Sequence, residues 1–497
     1  MSASEVDVLI VGAGLSGIGA AHHLQTRCPD KTYAILEGRE RLGGTWDLFR
    51  YPGIRSDSDM YTLGYSFRPW TASQAIADGD AILAYLRDTA ESEGIDRRIR
   101  YRHRVERARW SSDEVRWSVE ARDLATGELV AFACRFLYVC AGYYDYDAGY
   151  TPPFAGREQF RGRIVHPQQW TPDIDYDGKR VVVIGSGATA VTLVPELAKR
   201  AAHVTMLQRS PTYIVSRPRR DAFADWMRAH LPERAAYAAT RWKNVLVGMG
   251  FYAFCRRFPE RAKRLLVDLA SRELRGASDV ATHFTPSYKP WDQRLCLVPD
   301  GDLFDAIRSG RASVVTDHVE TFTETGLALR SGARLEADLV VTATGLALKF
   351  FGGIEVEVDG ARVDPSGLMV YKGVMCSDVP NCAFASGYTN ASWTLKVDLA
   401  SAYVCRLLRY MDAHGYTRCC PRRLDPTVEE VPLLDFSSGY VQRALARLPK
   451  QGSVAPWRLY QNYALDRMLF EHGRIEDPAL ELSRPAPRRA AAAVNAR

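Results

Sequence analysis

The sequence lacks the cysteine patterns that mark several specialised classes of protein. Its 10 cysteines, spread over 497 residues, include no Cys-x-x-Cys pair and no spacing typical of a zinc site. The absence of such a pair argues against a disulfide reductase, which needs two redox-active thiols near its flavin. We expect the cysteines to be small buried hydrophobic residues in a reducing compartment, and we predict no metal site.

The sequence also lacks a long hydrophobic run. The longest apolar stretch outside the motifs described below, residues 245–255, is too short to span a bilayer. The first residues contain neither a basic segment nor a small-residue cleavage site, so we do not expect a secretory signal. Together these absences predict a cytoplasmic protein.

Neither sign of charge dominates the composition. The chain has 65 Lys and Arg against 59 Asp and Glu, and 46% of its residues are hydrophobic, which is ordinary for a globular protein. Residues 217–279 nevertheless hold 14 basic and 7 acidic residues. A solvated helical face is the ordinary interpretation, with steering of an anionic cofactor or contact with anionic lipid as alternatives. We expect no nucleic-acid partner, and the oligomeric state, monomer or homo-oligomer, stays open.

A glycine-rich turn follows the first strand-like run of the chain. It reads Gly12-x-Gly14-x-x-Gly17 and opens a predicted helix, and the next predicted strand is followed by Glu37. Glycines at these positions allow a tight turn and a close approach of the backbone to a pyrophosphate at the helix N-terminus. A carboxylate at the end of the next strand can hold two ribose hydroxyls, so this unit is predicted to bind a dinucleotide.

A second short glycine motif follows Glu37 and contains Gly44, Thr45 and Trp46. Small residues there would let the backbone lie against the flavin part of an extended FAD. Trp46 has two interpretations of equal weight, a contact with flavin or substrate and an ordinary core aromatic. We therefore predict FAD as the dinucleotide of the first unit.

The strand, turn and helix pattern recurs in the middle of the chain. The second motif is Gly185-x-Gly187-x-x-Ala190, and its following strand ends at Arg209 and Ser210 instead of an acidic residue. Arginine can pair with the 2′-phosphate of NADPH, whereas an acidic residue would repel it. The second unit is therefore predicted to bind NADPH, with an unrelated surface arginine as the alternative interpretation.

Two dinucleotide units predict an α/β fold with two Rossmann-like domains, one for FAD and one for NADPH, and hydride transfer between the two cofactors. Residues 221–280 have helical periodicity and are predicted to form a helical insertion. The motifs alone leave the final electron acceptor open between a disulfide, a quinone and molecular oxygen.

The segment between the two motifs carries a family resemblance. Phe160-x-Gly162-x-x-x-His166-x-x-x-Trp170 resembles the signature of type I Baeyer-Villiger monooxygenases, although Thr171 stands where that family usually has Pro or Asp. The sister flavin-containing monooxygenases, which oxidise nitrogen and sulfur, differ from this chain at the tryptophan. His166 is expected to organise the hinge between the nucleotide domains.

The resemblance covers nearly the whole chain and, within the family, is similar to the branch that contains the mycobacterial ethionamide-activating monooxygenase. Further matching segments are residues 50–57, 292–294, 343–345 and 387–393. The resemblance implies that FAD reduced by NADPH reacts with O2 to give a C4a-peroxyflavin, which inserts oxygen into a ketone to form an ester or lactone. Sulfoxidation is implied as a side activity.

The resemblance also assigns the catalytic residues. Arg294 is implied to stabilise the peroxide anion by its permanent charge, and Asp57 is implied to position that arginine beside the flavin. Two alternatives stay open: an N- or S-oxygenating flavin-containing monooxygenase, and a flavin redox sensor without turnover.

Both nucleotide domains are predicted to be interleaved in the sequence. The predicted divisions are the first part of the FAD-binding domain at residues 1–145, the first part of the NADPH-binding domain at 146–220, a helical insertion and active-site linker at 221–317, the second part of the NADPH-binding domain at 318–367, the second part of the FAD-binding domain at 368–484, and a disordered tail at 485–497.

Overall fold

The computed structural model describes residues 4–484. Its two large sheets have helices packed against them. The first sheet has nine strands, and Ser4–Val11 lies inside it between two parallel neighbours. In spatial order its strands are Ala361–Arg362, Glu355–Val358, His103–Ser111, Arg116–Asp123, Leu129–Val139, Ser4–Val11, Tyr33–Leu36 and Ile99–Arg100, with Cys382–Phe384 also paired to Leu129–Val139. Val8 and Ile10 enter one hydrophobic core and Leu9 and Val11 enter another, so both faces of the sheet are covered.

The second sheet has five parallel strands. Their spatial order is Ala312–Thr316, His203–Gln208, Arg180–Ile184, Leu339–Thr342 and Arg163–Val165. Val181 and Val183 pack into one core while Val182 and Ile184 pack into another. A continuous run of β-branched residues is what a parallel strand buried on both faces requires. The predicted α/β fold with two Rossmann-like units is confirmed.

The helices lie on both sheets and between them. Their bounds are Leu15–Arg27, Thr45–Leu48, Met60–Leu63, Gly79–Ser92, Ala188–Leu197, Ala222–His230, Glu233–Arg257, Pro259–Leu274, Val280–His283, Asp302–Arg308, Trp393–His414, Gly439–Gln442 and Tyr463–His472. The helix Trp393–His414 packs against Leu15–Arg27 and is apolar over most of its surface, which is why it is buried in the first core. It ends at Gly415, whose φ of 68° is the left-handed conformation typical of a helix C-terminus.

Smaller two- and three-stranded sheets complete the fold. In the three-stranded sheet, Gly326–Leu329 is the central strand and pairs with both Val319–Thr323 and Arg334–Glu336. The two-stranded sheets pair Ile214–Arg217 with Cys296–Pro299, Val370–Tyr371 with Met375–Cys376, Arg418–Pro421 with Leu480–Ser483, and Glu430–Pro432 with Lys450–Gly452.

Sheet membership differs from two of the predicted domain divisions. Glu355–Val358 pairs with His103–Ser111 in the first sheet, although residues 318–367 were assigned to the NADPH-binding domain. Ala312–Thr316 pairs with His203–Gln208 in the second sheet, although it was placed in the insertion. Both pairings join strands far apart in sequence, so no local pattern indicates them. We therefore propose divisions before residue 312 and before residue 355 in place of 317 and 367.

The predicted helical insertion forms helices, but their buried faces differ in detail from the sequence pattern. Leu266 and Leu274 are buried in Pro259–Leu274, whereas Leu265 and Leu269 of the same apolar spacing are exposed. Residues 245–255 lie inside the helix Glu233–Arg257. Across residues 4–484 none of the helices is long and apolar enough to cross a membrane. The predicted disordered tail lies outside the described residues.

The cysteines are free and buried, which confirms the prediction that they act as small hydrophobic residues. The strands His103–Ser111 and Arg116–Asp123 form a hairpin, because the chain turns between Ser111 and Arg116. Val115 adopts a φ of 52° in this turn, an uncommon conformation for a β-branched residue.

Candidate active site

Both glycine-rich turns open onto one cleft of about 1420 Å³. The cleft lies at the carboxyl ends of the central strands Ser4–Val11 and Arg180–Ile184, where parallel α/β sheets bind their ligands. It is lined by residues from the two turns and from three distant stretches near residues 57, 294 and 440. The fold thus brings both predicted dinucleotide sites to a common space.

The first turn is closed so tightly that only glycine fits at two of its positions. A Cβ on Gly17 would lie 1.8 Å from the carbonyl oxygen of Gly12, and a Cβ on Gly12 would lie 2.7 Å from the carbonyl oxygen of Cys140. Gly12 also has a φ of 103°. Gly14 is the N-cap of the helix Leu15–Arg27, which therefore directs its free N–H groups toward the cleft.

Glu37 stands beside this turn with its carboxylate held in place by the backbone. One oxygen accepts the N–H of Ala13 at 2.7 Å and the other accepts the N–H of Arg39 at 2.9 Å. Burial raises the pKa of Glu37, and the two N–H donors oppose that rise. The remaining lone pairs of the carboxylate are available on the cleft wall for ribose hydroxyls.

The second glycine motif closes against the first. A Cβ on Gly44 would lie 3.0 Å from the Cα of Gly14, and the φ of Gly44 is 54°. Thr45 Oγ1 lies 3.2 Å from the hydroxyl oxygen of Tyr146. Trp46 both lines the cleft and packs against the first hydrophobic core. Its position is therefore compatible with a core role and with a contact to flavin or substrate. Contact of Trp46 with the flavin stays a prediction.

A buried carboxylate that the sequence did not single out holds this motif in place. Asp47 is 1% exposed and accepts hydrogen bonds from Arg39, Arg41 and Arg50. Burial opposes ionisation of this carboxyl, but the hydrogen bonds from Arg39 and Arg41 keep the pKa of Asp47 below its ordinary value. Asp47 therefore anchors the short helix Thr45–Leu48 that follows the glycines.

The second turn differs from the first in how much room it leaves. A Cβ on Gly185 would lie 2.3 Å from the carbonyl oxygen of Ala343, whereas a Cβ on Gly187 would contact nothing within 4 Å. Ala190 is fully buried against the second sheet, where close helix packing allows only a small side chain. Arg209 and Ser210 are exposed on the cleft wall at the end of the next strand. The space at Gly187 suits a pyrophosphate and the cation at Arg209 suits a 2′-phosphate.

Arg294 and Asp57, the two residues that the resemblance assigned to catalysis, form an ion pair in the cleft. Arg294 Nε lies 2.9 Å from Asp57 Oδ2, and Nη2 lies 3.2 Å from Oδ1, which is a forked geometry. Their side chains are 35% and 33% exposed. The charge of Asp57 raises the pKa of Arg294 well above its ordinary value, so the guanidinium keeps its charge.

Tyrosines surround this ion pair, and no sequence motif indicated them. Tyr143 and Tyr144 lie with their hydroxyl oxygens 3.0 Å apart, and the Tyr143 ring stacks on Trp393 at 5.0 Å between centroids. Burial raises the pKa of both tyrosines, so their hydroxyls remain neutral hydrogen-bonding groups. The proline, glycine and aspartate content of residues 143–156 is typical of a linker, and this composition obscures the aromatic pair.

A segment near the C-terminal end of the chain lies over the tyrosines. Residues 436–448 contribute Phe436 and Tyr440 to a hydrophobic cluster with Tyr143 and Tyr144. Ser437 donates its backbone N–H to the carbonyl oxygen of Asp292 at 2.8 Å, two residues before Arg294. This segment therefore covers the loop that carries the arginine.

His166 and Trp170 lie outside the cleft lining. His166 Nδ1 accepts the N–H of Gln168 at 3.2 Å, and Nε2 lies 3.1 Å from the carbonyl oxygen of Gly345. Nε2 is therefore the donor of the neutral ring. Burial lowers the pKa of His166, which keeps the ring neutral at neutral pH. Trp170 is buried in the second core, so these signature residues join the segment between the domains to the second sheet.

Comparison with known proteins identifies relatives over nearly the full chain. The FAD-containing monooxygenase EthA of Mycobacterium tuberculosis strain H37Rv is 58% identical over 97% of this chain and 99% of its own length. Residues 74–234 match the flavin-binding monooxygenase-like family, and residues 10–76 match an NAD(P)-binding Rossmann-like domain.

Solved structures share the fold at lower sequence identity. A steroid monooxygenase bound to NADP has a TM-score of 0.74 at 24% identity, covering 97% of this chain and 100% of its own. A cyclohexanone monooxygenase with bound ε-caprolactone has a TM-score of 0.76 at 19% identity with the same coverage.

The cofactors follow from the relatives and fit the two turns. The first turn offers a helix N-terminus and the carboxylate of Glu37, which suit FAD, and the second turn offers open space at Gly187 and the cation of Arg209, which suit NADPH. Within residues 4–484 no group of three or more His, Cys, Asp or Glu side chains gathers as a metal site. The chain belongs to the EthA branch of the FAD-containing monooxygenases, with FAD and NADPH as cofactors, and it shares the fold of the solved steroid and cyclohexanone monooxygenases.

Proposed function

We propose that this monooxygenase inserts one oxygen atom of O2 into ketones to give esters or lactones, with sulfides as a second class of substrate. The observation that carries the proposal is the Arg294 and Asp57 ion pair on the cleft wall. Ketone attack needs a nucleophilic, negatively charged oxygen, and such a charge requires a fixed cation beside it. Oxidation of a sulfide needs no such anion.

The residues that would hold the two cofactors belong to the two glycine-rich turns that open onto one cleft. Gly12, Gly14, Gly17 and Glu37 would hold the FAD pyrophosphate and ribose, with Gly44, Thr45 and Trp46 beside the flavin. Gly185, Gly187, Ala190, Arg209 and Ser210 would form the NADPH site. Bound FAD supplies the redox chemistry, since it takes a hydride from NADPH and passes two electrons to oxygen.

Arg294 would provide the fixed cation. The fork to Asp57 uses its Nε hydrogen and one Nη2 hydrogen, which leaves three of the five guanidinium N–H donors for other partners. Asp57 fixes the plane of the guanidinium, and its charge keeps Arg294 protonated throughout the pH range of the folded protein. Arg294 would therefore favour an anionic oxygen over a neutral one, which is what attack on a carbonyl carbon requires.

The aromatic wall would keep water away from this cation. Tyr143, Tyr144 and Trp393 pack around the cleft next to Arg294, and the segment 436–448 covers them. A site with less water strengthens the interaction between the guanidinium and a negative charge. Trp393 is itself fixed, because its Nε1 donates to Ser16 Oγ at 2.9 Å.

An N- or S-oxygenating flavin-containing monooxygenase is the second candidate, because the family matched by residues 74–234 is described only as flavin-binding monooxygenase-like. Both candidates consume NADPH and O2, so the products distinguish them. The purified holoenzyme is incubated with NADPH and equal amounts of a cyclic ketone, a linear ketone, a thioether and a tertiary amine, and the products are identified by mass spectrometry. Lactone and ester support the proposal, and sulfoxide or N-oxide alone contradicts it. NADPH oxidation that none of these compounds stimulates would favour the redox sensor.

A further inference from the structure

A second guanidinium reaches the NADPH side of the cleft from a distant part of the chain. Arg443 follows the helix Gly439–Gln442, and its guanidinium carbon lies 3.4 Å from the centroid of the Tyr150 ring. Its Nη2 lies 3.5 Å from the position that a Cβ on Gly345 would occupy. Gly345 follows the strand Leu339–Thr342 of the second sheet. Arg443 thus extends from the segment 436–448 to the carboxyl ends of the strands in the second sheet, where the second glycine turn also lies.

Arg443 and Arg209 are two cations that line the same cleft. In the part of the chain that the structure describes, neither guanidinium takes part in an ion pair with a carboxylate. Burial lowers the pKa of Arg443, and the charge of Arg209 lowers it further against the opposing effect of Tyr150. Two unpaired like charges repel, so this arrangement favours an anion bound between them.

NADPH contains two kinds of anionic group that could fill this position. Its pyrophosphate already has a site at the N-terminus of the helix Ala188–Leu197, where Gly187 leaves open space. Its 2′-phosphate belongs at the end of the next strand, His203–Gln208, which is directly followed by Arg209. A phosphate monoester carries nearly two negative charges at neutral pH, and guanidinium groups bind it through paired hydrogen bonds.

We propose that Arg443, together with Arg209, binds the 2′-phosphate of NADPH and is a determinant of the preference for NADPH over NADH. Stacking on Tyr150 holds the Arg443 guanidinium in place before the cofactor arrives, which reduces the entropy that binding costs. Arg443 belongs to a segment that otherwise covers the site around Arg294, so no sequence motif near the second glycine turn indicates it.

Binding of oxidised cofactor to the oxidised holoenzyme tests this inference without any oxygen chemistry. The dissociation constants of NADP⁺ and NAD⁺ are measured by titration calorimetry for the wild type, Arg443→Ala, Arg443→Gln and the control Arg447→Ala. Arg447 is exposed, lies four residues further along the same segment and does not line the cleft. We expect both Arg443 variants to bind NADP⁺ about tenfold or more weakly, the loss typical of a hydrogen bond to a charged group, with NAD⁺ binding unchanged.

Arg447→Ala is expected to bind both nucleotides as the wild type does. Equal weakening of NADP⁺ and NAD⁺ by the Arg443 variants would place the contact at the pyrophosphate and overturn the proposal, as would unchanged binding of both. FAD content and thermal midpoint are recorded for each variant, and Arg443→Gln keeps an uncharged polar side chain with most of the aliphatic stem if the alanine variant folds poorly. Because nucleotide binding is measured before any oxygen transfer, the result does not depend on whether ketones are the substrates.

Discussion

Arg294 Nε lies 2.9 Å from Asp57 Oδ2, and this ion pair joins two loops that are 237 residues apart in sequence. Asp57 lies just before the short helix Met60–Leu63, and Arg294 lies just before the strand Cys296–Pro299. The pair stands on the wall of the cleft onto which both dinucleotide turns open. Our proposal that the protein oxidises ketones rests on this ion pair.

Replacement of Arg294 should separate flavin reduction from oxygen insertion. We expect Arg294→Ala to form esters about 100- to 1000-fold more slowly, the loss usual for one electrostatic contact in an active site, while NADPH still reduces the flavin. Stopped-flow absorbance measures reduction, and gas chromatography measures the ester. The matched control is Arg256→Ala. It removes an ion pair with Asp292, which lies in the same loop as Arg294 but does not line the cleft. Wild-type ester formation by Arg294→Ala would remove Arg294 from the mechanism.

Glu37 should determine the affinity for FAD. Glu37→Ala would remove the proposed ribose contact and leave the buried N–H groups of Ala13 and Arg39 without their acceptor. We expect FAD to bind about 10- to 100-fold more weakly, since each hydrogen bond to a charged group contributes about 1.5–3 kcal/mol. Fluorescence titration of the deflavinated protein measures this affinity. Glu114→Ala is the control, because Glu114 is exposed, does not line the cleft and pairs with Arg116 at 2.7 Å. Unchanged FAD binding in Glu37→Ala would contradict the assignment.

Alanine at one glycine of each turn should affect folding differently. A Cβ on Gly17 would lie 1.8 Å from the carbonyl oxygen of Gly12, so Gly17→Ala should lower the free energy of unfolding by about 1–3 kcal/mol and release FAD. Gly187→Ala adds its methyl group to open space and should keep the wild-type thermal midpoint and FAD content while NADP⁺ binds more weakly. Calorimetric unfolding and NADP⁺ titration measure the two effects. Loss of FAD from Gly187→Ala would show that the open space belongs to a different ligand.

His166 should make the folded state sensitive to mild acid. Burial lowers the pKa of His166 below that of the unfolded chain, so at a pH beneath about 6.5 the unfolded state binds more protons. Its contribution to stability is therefore present above that pH and is lost as the pH falls toward the folded pKa. The thermal midpoint of the wild type should fall more between about pH 7 and about pH 5.5 than that of His166→Asn, which cannot titrate. Equal decreases in both proteins would contradict this account.

The parts of the fold that the sequence predicted are those that depend on local geometry. Gly12, Gly17 and Gly185 must be glycine because of contacts made within one turn or with the adjacent strand, so spacing alone indicates them. Glu37 and Arg209 each follow the strand after their turn, and their opposite charges predicted FAD and NADPH, the cofactors that the relatives support.

The parts that the sequence did not predict depend on pairings between distant segments. Glu355–Val358 returns to the first sheet after the second is complete, and this pairing is the reason that we propose a different domain division. Tyr143 lines the cleft from the linker-like stretch 143–156, and Arg443 lines it from the segment 436–448 near the end of the described chain. Leu269 has the helical spacing of a buried residue, but the helix Pro259–Leu274 packs on one side only and leaves it exposed. Periodicity indicates a helix without indicating which neighbours cover it.

The central claim is that the oxygen atom reaches a ketone carbonyl with the help of Arg294. The most direct measurement is a reaction of the holoenzyme with NADPH, isotopically labelled O2 and a ketone, followed by mass spectrometry of the product. The account predicts an ester or lactone that contains one labelled oxygen atom, and predicts its loss in Arg294→Ala while NADPH oxidation continues. A wild-type enzyme that oxidises sulfides but leaves every ketone unlabelled and unchanged would contradict the claim.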